Sequence, residues 1–175
     1  MKTPHPEPRT ELENVLVSTM KDDMVRFVHD HPESVKEALD LAISDRQPYA
    51  WRAAWLLTNV VEENDKRVRP YVGKIMDMLE KKDDGHMREL LKILVRMNLD
   101  EDHEGRLLGV CVKLWKTASK VPAVRYTAFR FIYKVALQYP ELIHEVELLT
   151  AKEYMDSLSR GVKHSVEKMM GVLKG

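Results

Sequence analysis

The apolar residues of this chain recur at helical spacing. In the clearest stretch, Val72, Ile75, Met76 and Leu79 follow the order i, i+3, i+4, i+7. This spacing places them along one face of an α-helix that packs on a core. No run of alternating apolar and polar residues, rich in Val, Ile and Thr and bounded by turn residues, supports a sheet. The pattern therefore predicts an all-α protein.

An apolar residue followed by a basic one begins four of the predicted helices. The four pairs are Trp51-Arg52, Met87-Arg88, Val124-Arg125 and Val162-Lys163. Their basic members are separated by 36, 37 and 38 residues (52 to 88, 88 to 125 and 125 to 163). This nearly constant period is long enough for two helices and two turns, and it is typical of a stacked helical array.

Prolines support the same period. Pro32 and Pro140 each begin the first, outer helix of a predicted pair, and they lie three periods apart. Pro48 and Pro122 stand at the first turn of two inner helices, a position that proline favours. We therefore expect about four helix pairs, in a single domain over residues 10–175. A flexible proline-rich arm over residues 1–9 is expected to precede it.

A leading helix is predicted before the first pair. Thr10 is a good N-cap, and Glu13 completes a capping box three residues on. This helix is expected to run from about Thr10 to the break at residues 29–32. In the second pair, the turn at residues 83–85 is expected to precede an inner helix over residues 86–98.

An outer helix, an aspartate-containing turn and an inner helix that opens with an apolar residue and a basic one resemble the HEAT repeat. Residues 68–97 match best, and the resemblance covers nearly all of residues 32–174. It implies a right-handed α-solenoid whose inner helices line a concave face, and a non-catalytic scaffold or adaptor. One HEAT-like branch, the alkylation-repair DNA glycosylases, acts on DNA.

The chain departs from the usual HEAT pattern in two ways. Its period is shorter than the roughly 40 to 47 residues of that class. Lys163 also replaces the arginine of the last unit. The tetratricopeptide repeat has a period near 34 residues, but its Trp-Leu-Gly-Tyr signature is missing from this chain.

Composition excludes several classes of function. The 28 basic and 28 acidic residues give zero formal charge, so the chain as a whole does not have the basic character of a polyanion-binding protein. Cys111 is the only cysteine and lies in an apolar run, so we expect a buried, inert thiol. No metal, cofactor or membrane partner is expected. The missing signal peptide and membrane span favour a cytoplasmic location.

Each of the last three inner helices carries a polar, mostly basic stripe opposite its apolar side when it is drawn at about 100° per residue. The stripes are Arg88, Lys92 and Arg96 on the second, Tyr126, Arg130 and Lys134 on the third, and Arg160, His164 and Lys168 on the fourth. If the helices stack side by side, these residues form one basic strip across the concave face. Acidic residues concentrate elsewhere: residues 10–45 contain nine, against three basic ones.

The basic strip suggests two kinds of partner. An acidic protein or peptide is the first, and nucleic acid is the alternative. A third interpretation is that these cations merely solvate a helix face. The four period-defining cations are instead expected to pair structurally, with Asp45, Asp84 and Asp156 as nearby acids. For Arg125 a carboxylate from the neighbouring pair is expected.

The sequence gives little support for an enzyme. A glycosylase-like site would need a carboxylate beside aromatic walls on the concave face, and Glu62 and Glu63 alone lie near a tryptophan-bearing inner helix. The tryptophans Trp51, Trp55 and Trp115 are expected to pack in the core. We therefore predict a protein without catalytic activity, whose oligomeric state the sequence leaves open.

Overall fold

The computed structural model describes residues 6–175, and this range contains helices and no strand. The all-α prediction is confirmed. The helices are α1 (Glu11–Ser18), α2 (Lys21–Asp30), α3 (Ser34–Ala42), α4 (Tyr49–Val60), α5 (Val72–Met78), α6 (Asp84–Val95), α7 (Glu101–Lys116), α8 (Pro122–Gln138), α9 (Ile143–Leu148), α10 (Lys152–Met155) and α11 (Arg160–Lys174). Short 3₁₀ turns lie at Arg69–Tyr71, Leu79–Lys81 and Pro140–Leu142.

The chain divides into two compact units, the first ending at Asn98 and the second beginning at Leu99. The handedness of the array, the number of helix pairs and the single domain stay predictions. The predicted flexible arm lies partly outside the described residues. Within the described part, the carbonyls of Pro6 and Glu7 accept hydrogen bonds from Tyr49 and Arg46. None of the described helices has both the length and the apolar composition needed to cross a membrane.

Unit 1 is built around α4. The helices α1, α2, α3 and α6 all pack against it, because α4 is apolar around most of its circumference. Its core includes Leu12, Leu39, Ala53, Leu57 and Leu90, each no more than 1% exposed. Burial of this kind contributes roughly 1.5 to 3 kcal/mol for each large aliphatic side chain.

The predicted leading helix is in fact two helices, α1 and α2. The N-cap is as expected, since Thr10 Oγ1 accepts a hydrogen bond from the Glu13 amide at 3.1 Å. At the other end of α1, the hydroxyls of Ser18 and Thr19 donate to backbone carbonyls four residues earlier, at 2.7 and 2.8 Å. Hydroxyl groups that bond the backbone in this way weaken a helix, and here α1 ends.

The inner helix α6 begins two residues earlier than expected. Asp83 is its N-cap and accepts a hydrogen bond from the His86 amide at 2.9 Å. After α6, the Asn64 amide donates to the Arg96 carbonyl at 2.9 Å, and the Asn98 amide donates to Asn64 Oδ1 at 3.3 Å. The loop that follows α4 thereby holds the C-terminal end of α6.

Two arginines of unit 1 bind the C-terminal ends of other helices. Arg52 on α4 donates from Nε to the carbonyl of Leu16 near the end of α1. Arg96 donates from NH1 to the carbonyl of Val61, the C-cap residue of α4, at 2.9 Å. The last carbonyls of a helix lack intrahelical donors and lie at the negative end of its dipole, so a cation is well placed there.

The C-terminal end of α3 is bound in the same way, by two residues near the start of α6. Lys82 donates to the carbonyl of Ser44 at 2.5 Å and pairs with Asp45 at 2.6 Å. Asp45 was expected to pair with Arg52, and this expectation is wrong. His86 Nε2 bonds the carbonyl of Ala42 at 2.8 Å. Burial lowers the pKa of His86, which favours its neutral form.

Unit 2 is built around α8, which packs against α7, α9 and α11. Trp115 and Phe129 are fully buried, with ring centroids 4.6 Å apart. Cys111 lies in the same core, and burial raises the pKa of its thiol well above the ordinary range. This environment keeps the thiol protonated and agrees with the inert cysteine that the sequence predicted.

Arg125 is 1% exposed and connects three elements of unit 2. Its Nε donates to the carbonyl of Trp115 in the last turn of α7 at 2.8 Å, and its NH2 donates to the carbonyl of Tyr154 in α10 at 2.5 Å. Its NH1 donates to Ser157 Oγ at 2.7 Å. The expectation of a carboxylate partner is wrong. Carbonyls at two helix ends and one hydroxyl satisfy the guanidinium instead.

Replacing Arg125 by Met should lower the free energy of unfolding by about 3 kcal/mol, because two buried carbonyls and a hydroxyl lose a charged donor. The control is Arg130→Met on the same helix, where the side chain is exposed and the change should stay within about 0.5 kcal/mol. Urea unfolding followed by circular dichroism measures both. Equal midpoints for the two variants would contradict the structural role of Arg125.

Asp65 organises the loop between α4 and the first 3₁₀ turn. Its carboxylate accepts hydrogen bonds from the amides of Glu62 and Arg67 at 3.2 and 2.9 Å, and it also pairs with the Arg67 guanidinium at 2.6 Å. The guanidinium of Arg67 is the largest of the causes that lower the pKa of Asp65 to about 2. Ionised Asp65 therefore stabilises the folded chain.

Asp65→Asn should lower the free energy of unfolding by about 2 kcal/mol at neutral pH. Each unit by which folding lowers a carboxyl pKa stabilises the folded state by about 1.4 kcal/mol. The deficit should be complete above the ordinary pKa of 3.8 and should shrink as the pH falls from 3.8 through about 2. Thermal unfolding as a function of pH measures it. Asp30→Asn, at an exposed position, is the control. A deficit that stays constant down to pH 2 would sink this explanation.

Candidate functional site

Two of the three residues in the predicted basic stripe of α6 bind a buried carboxylate. Glu89 is fully buried, and its carboxylate accepts from Arg88 NH2 at 2.7 Å and from Lys92 Nζ at 3.2 Å. Thr58 on α4 also donates to it, at 3.4 Å. The third member of the stripe, Arg96, is half-buried and donates to a backbone carbonyl. Glu89 thus offsets part of the positive charge of this stripe.

Two tryptophans of α4 are only half-buried. Trp115 is in the core, as predicted, whereas Trp51 and Trp55 keep part of their surface exposed. The Trp51 Nε1 lies beside the first turn of α6, 3.7 Å from the position that a Cβ on Gly85 would take. Unit 1 therefore presents indole surface that the sequence had assigned to the core.

The carboxylates of unit 1 do not form an accessible site beside these indoles. Glu89 contacts α4 through Thr58, a proximity that the sequence did not reveal, but its carboxylate is buried under Arg88 and Lys92. Glu89 is therefore not available to a substrate. The two acids named from the sequence, Glu62 and Glu63, are exposed and lie just beyond the end of α4.

The stripes of α8 and α11 lie on two helices that pack against each other in unit 2. Arg130, His164, Lys168 and Arg160 are exposed, and Tyr126 is half-buried. The last residue of the α8 stripe, Lys134, is half-buried and has an interaction partner. We name the first five residues the α8–α11 basic face.

Four of the five members of this face occupy matched positions. Tyr126 and His164 each follow the period-defining cation of their helix by one residue, and Arg130 and Lys168 follow it by five. Equivalent positions on neighbouring inner helices become spatial neighbours in a stacked array. Arg130 and Lys168 are therefore expected side by side, as the packing of α8 on α11 allows.

The α6 stripe does not share this register. Arg88 is itself the period-defining cation of α6, so its stripe is displaced by one residue, or about 100° around the helix, from those of α8 and α11. The α6 residue that matches Arg130 is Ile93, which is fully buried. The predicted strip thus consists of one stripe in unit 1 and a matched pair of stripes in unit 2. That these nine residues bind a partner stays a prediction.

A groove of about 580 Å³ in unit 1 was not anticipated from the sequence. It lies between the start of α3 and the turn at Arg69–Tyr71, and Val35, Pro70 and Tyr71 supply apolar surface. The Tyr71 hydroxyl donates to Asp40 Oδ1 at 2.8 Å, and burial together with this bond raises the pKa of Tyr71 to about 12. Lys74 lies 5.2 Å from the ring centroid. In the sequence, the adjacent Pro70 and Tyr71 were the one feature that could have indicated this groove.

The charged side chains offer no metal centre in the part of the chain that the structure describes. Over residues 6–175, no group of three or more His, Cys, Asp or Glu side chains is arranged so that it could hold a metal ion. His103, which lies in the acidic start of α7, pairs with Asp100 at 2.6 Å. Asp100 is the N-cap of that helix.

A family model described as a HEAT repeat domain matches residues 8–173 of the chain. No curated protein matches the chain. No solved structure matches it either. The family model spans nearly the whole sequence and agrees with the helical fold. The chain belongs to the HEAT repeat family.

Proposed function

We propose that this protein is a non-catalytic interaction scaffold, and that its α8–α11 basic face binds an acidic segment of another protein. HEAT repeats generally mediate protein–protein interactions. The proposal narrows that general role to one surface of unit 2. The stripes of α8 and α11 form the proposed binding surface, and the α6 stripe is expected to contribute less.

The observation that carries the proposal is the availability of Arg130 and Lys168. Both are exposed and neither has an ion-pair partner among the described residues. Arg88 and Lys92, by contrast, are already bound to Glu89. A cation without a local carboxylate loses less when it binds a new one. The α8–α11 face is therefore better suited than α6 to an incoming acidic group.

The aromatic and imidazole groups at the matched position add polar contacts. Tyr126 presents a hydroxyl that donates or accepts hydrogen bonds, and His164 lies at the equivalent place on α11. Inner helices pack at about 8 to 10 Å, so the two rows can contact carboxylates on both sides of one extended or helical segment. Glu167 lies next to Lys168 in the sequence and reduces the net charge of the α11 row.

The strength of each contact is modest. An exposed ion pair contributes about 0.2 to 1 kcal/mol and is screened within roughly 8 Å at physiological salt. Several such contacts are needed for micromolar binding. This arithmetic favours a partner with clustered acidic residues over one with a single carboxylate.

A charge-reversal experiment tests the proposal. A fluorescein-labelled synthetic peptide rich in glutamate serves as the probe, and its binding to the full chain is followed by fluorescence anisotropy. Arg130→Glu combined with Lys168→Glu should weaken binding by at least about tenfold, since two attractions become repulsions. The control is Lys21→Glu combined with Lys66→Glu, which changes the net charge equally at exposed positions in unit 1.

Three outcomes would count against the proposal. The wild type could fail to bind the peptide, both double variants could weaken binding equally, or neither could. A duplex DNA probe separates the nucleic-acid alternative, because phosphate contacts lower log affinity by about 0.9 per contact for each unit of log salt. A steep salt slope with DNA and no binding of the acidic peptide would replace the proposed partner with nucleic acid.

A further inference from the structure

The two half-buried tryptophans of α4 belong to a row that matches the basic stripe of α6. Three residues of α4 each lie 37 residues before one member of that stripe (51 to 88, 55 to 92 and 59 to 96), namely Trp51, Trp55 and Asn59. The two helices run in the same direction, because the start of α6 meets Trp51 and the end of α6 binds the C-cap of α4. We name the α4 row and the α6 stripe together the α4–α6 face.

Both rows lie on the same side of the helix pair. Thr58 of α4 and Glu89 of α6 are in contact at 3.4 Å, which identifies the sides on which the two helices meet. Trp55 stands three residues before Thr58, and Lys92 stands three residues after Glu89. At about 100° per residue, each is turned about 60° from the contact, in opposite senses. On two helices that run in the same direction, opposite senses bring the two rows to one common side.

The α4 row presents polar groups that no described residue uses. The indole N–H groups of Trp51 and Trp55 have no hydrogen-bond acceptor among residues 6–175, whereas the buried Trp115 donates to a carbonyl. Asn59 is exposed, and its Nδ2 donates to the carbonyl of Trp55 at 2.8 Å, so its Oδ1 is left as an acceptor. The row thus offers two donors and one acceptor. A peptide backbone supplies both kinds of partner, whereas a phosphodiester backbone only accepts.

The spacing of the two rows fits an extended peptide. Members of each row are four residues apart, which is about 6 Å along a helix axis. In an extended peptide, side chains on the same side recur every two residues, or about 6.6 Å, and the intervening side chains point the opposite way. A peptide that lies between the rows therefore directs one set of side chains to the indoles and the other set to the cations, at nearly the repeat of both rows.

The charges of the α6 stripe indicate the second set of side chains. Arg88 and Lys92 share the single carboxylate of Glu89, and Arg96 binds a carbonyl rather than a carboxylate. Three cations against one carboxylate leave the stripe positive. The exposed acids at residues 62–63 follow the end of α4 and therefore lie toward Arg96. The positive charge is thus greatest beside Arg88 and Lys92, where it is complementary to acidic side chains.

We propose that the α4–α6 face binds an extended peptide in which apolar and acidic residues alternate. The apolar side chains pack on Trp51 and Trp55, and the acidic ones pair with the α6 stripe. Tryptophan and arginine are among the residues that most often dominate the affinity of an interface. The proposal does not rest on the α8–α11 basic face, because it concerns a different surface and requires apolar residues in the partner.

Binding of two synthetic peptides to the full chain, followed by fluorescence anisotropy, tests the proposal. In the first fluorescein-labelled peptide valine and glutamate alternate, and in the second, of the same composition, all valines precede all glutamates. The alternating peptide should bind at least about tenfold more tightly, because only its two sets of side chains reach both rows. Trp55→Ala should weaken its binding by at least about tenfold, since an aromatic anchor is lost.

A second variant guards against misfolding of Trp55→Ala. Asn59→Glu places an acid in the α4 row at an exposed position and should weaken binding of the alternating peptide at least about fivefold by repulsion of its carboxylates. Asn14→Glu, at an exposed position of α1, makes the same change outside the face and should stay within about twofold. Circular dichroism establishes which variants are folded.

Four results would overturn the proposal. The alternating peptide could fail to bind, the two peptides could bind equally well, or every folded variant of the α4 row could bind as the wild type does. The fourth is Trp55-dependent binding of single-stranded oligothymidylate without binding of the peptide, which would assign the face to nucleic acid. If Arg130→Glu with Lys168→Glu abolishes binding of the alternating peptide and Trp55→Ala does not, the α4–α6 proposal fails while the basic face stands.

Discussion

The structure depends on basic side chains that bind the C-terminal carbonyls of neighbouring helices. Many helices end at a glycine in the left-handed conformation, which lets the chain turn and satisfies the last carbonyls. This sequence has seven glycines. Among the described helices α1 to α10, none has glycine at its C-cap or directly after it. At the ends of α1, α3, α4, α7 and α10, basic side chains from elsewhere in the chain donate to backbone carbonyls.

At two of the four period-defining positions, Arg52 and Arg125, this interaction explains why a basic residue stands near the start of its helix. A cation there opposes the dipole of its own helix. Arg52 and Arg125 are nevertheless favourable, because each reaches the negative end of another helix. A hydrogen bond from a charged donor contributes about 1.5 to 3 kcal/mol. Arg52 and Arg125 therefore hold neighbouring helices together, whereas Arg88 pairs with Glu89 of its own helix.

The separation of structural and available cations follows from their position on the helix. At the period-defining position the guanidinium of Arg125 is buried and fully bound, so it is no ligand candidate. Five residues on, Arg130 and Lys168 are exposed. Lys163 combines features of both groups, since it has the structural position but no partner in the described part of the chain. The proposed contacts of the α8–α11 basic face with a partner protein lie at the exposed pair for this reason.

Much of the fold could be predicted from periodicity, because the spacing of apolar residues and prolines depends on local helix geometry. The break at Thr19 could not, since it depends on hydroxyl groups competing for the backbone of α1. The partner of Arg125 was also missed, because a search for acids overlooks backbone carbonyls. The one-residue offset of the α6 stripe follows from the residue numbers alone. Its effect on the basic strip depends on the burial of Ile93 and Glu89, which the sequence does not show.

Side-chain NMR of the arginines gives the most direct test of this account. Hydrogen exchange at each Nε–H reports whether that proton is held in a buried hydrogen bond. Arg52 and Arg125 should show slowly exchanging Nε–H signals, and the exposed Arg130 and Arg160 should exchange rapidly. Rapid exchange at Arg125, similar to that at Arg130, would contradict the claim that cation-to-carbonyl bonds hold these helices together.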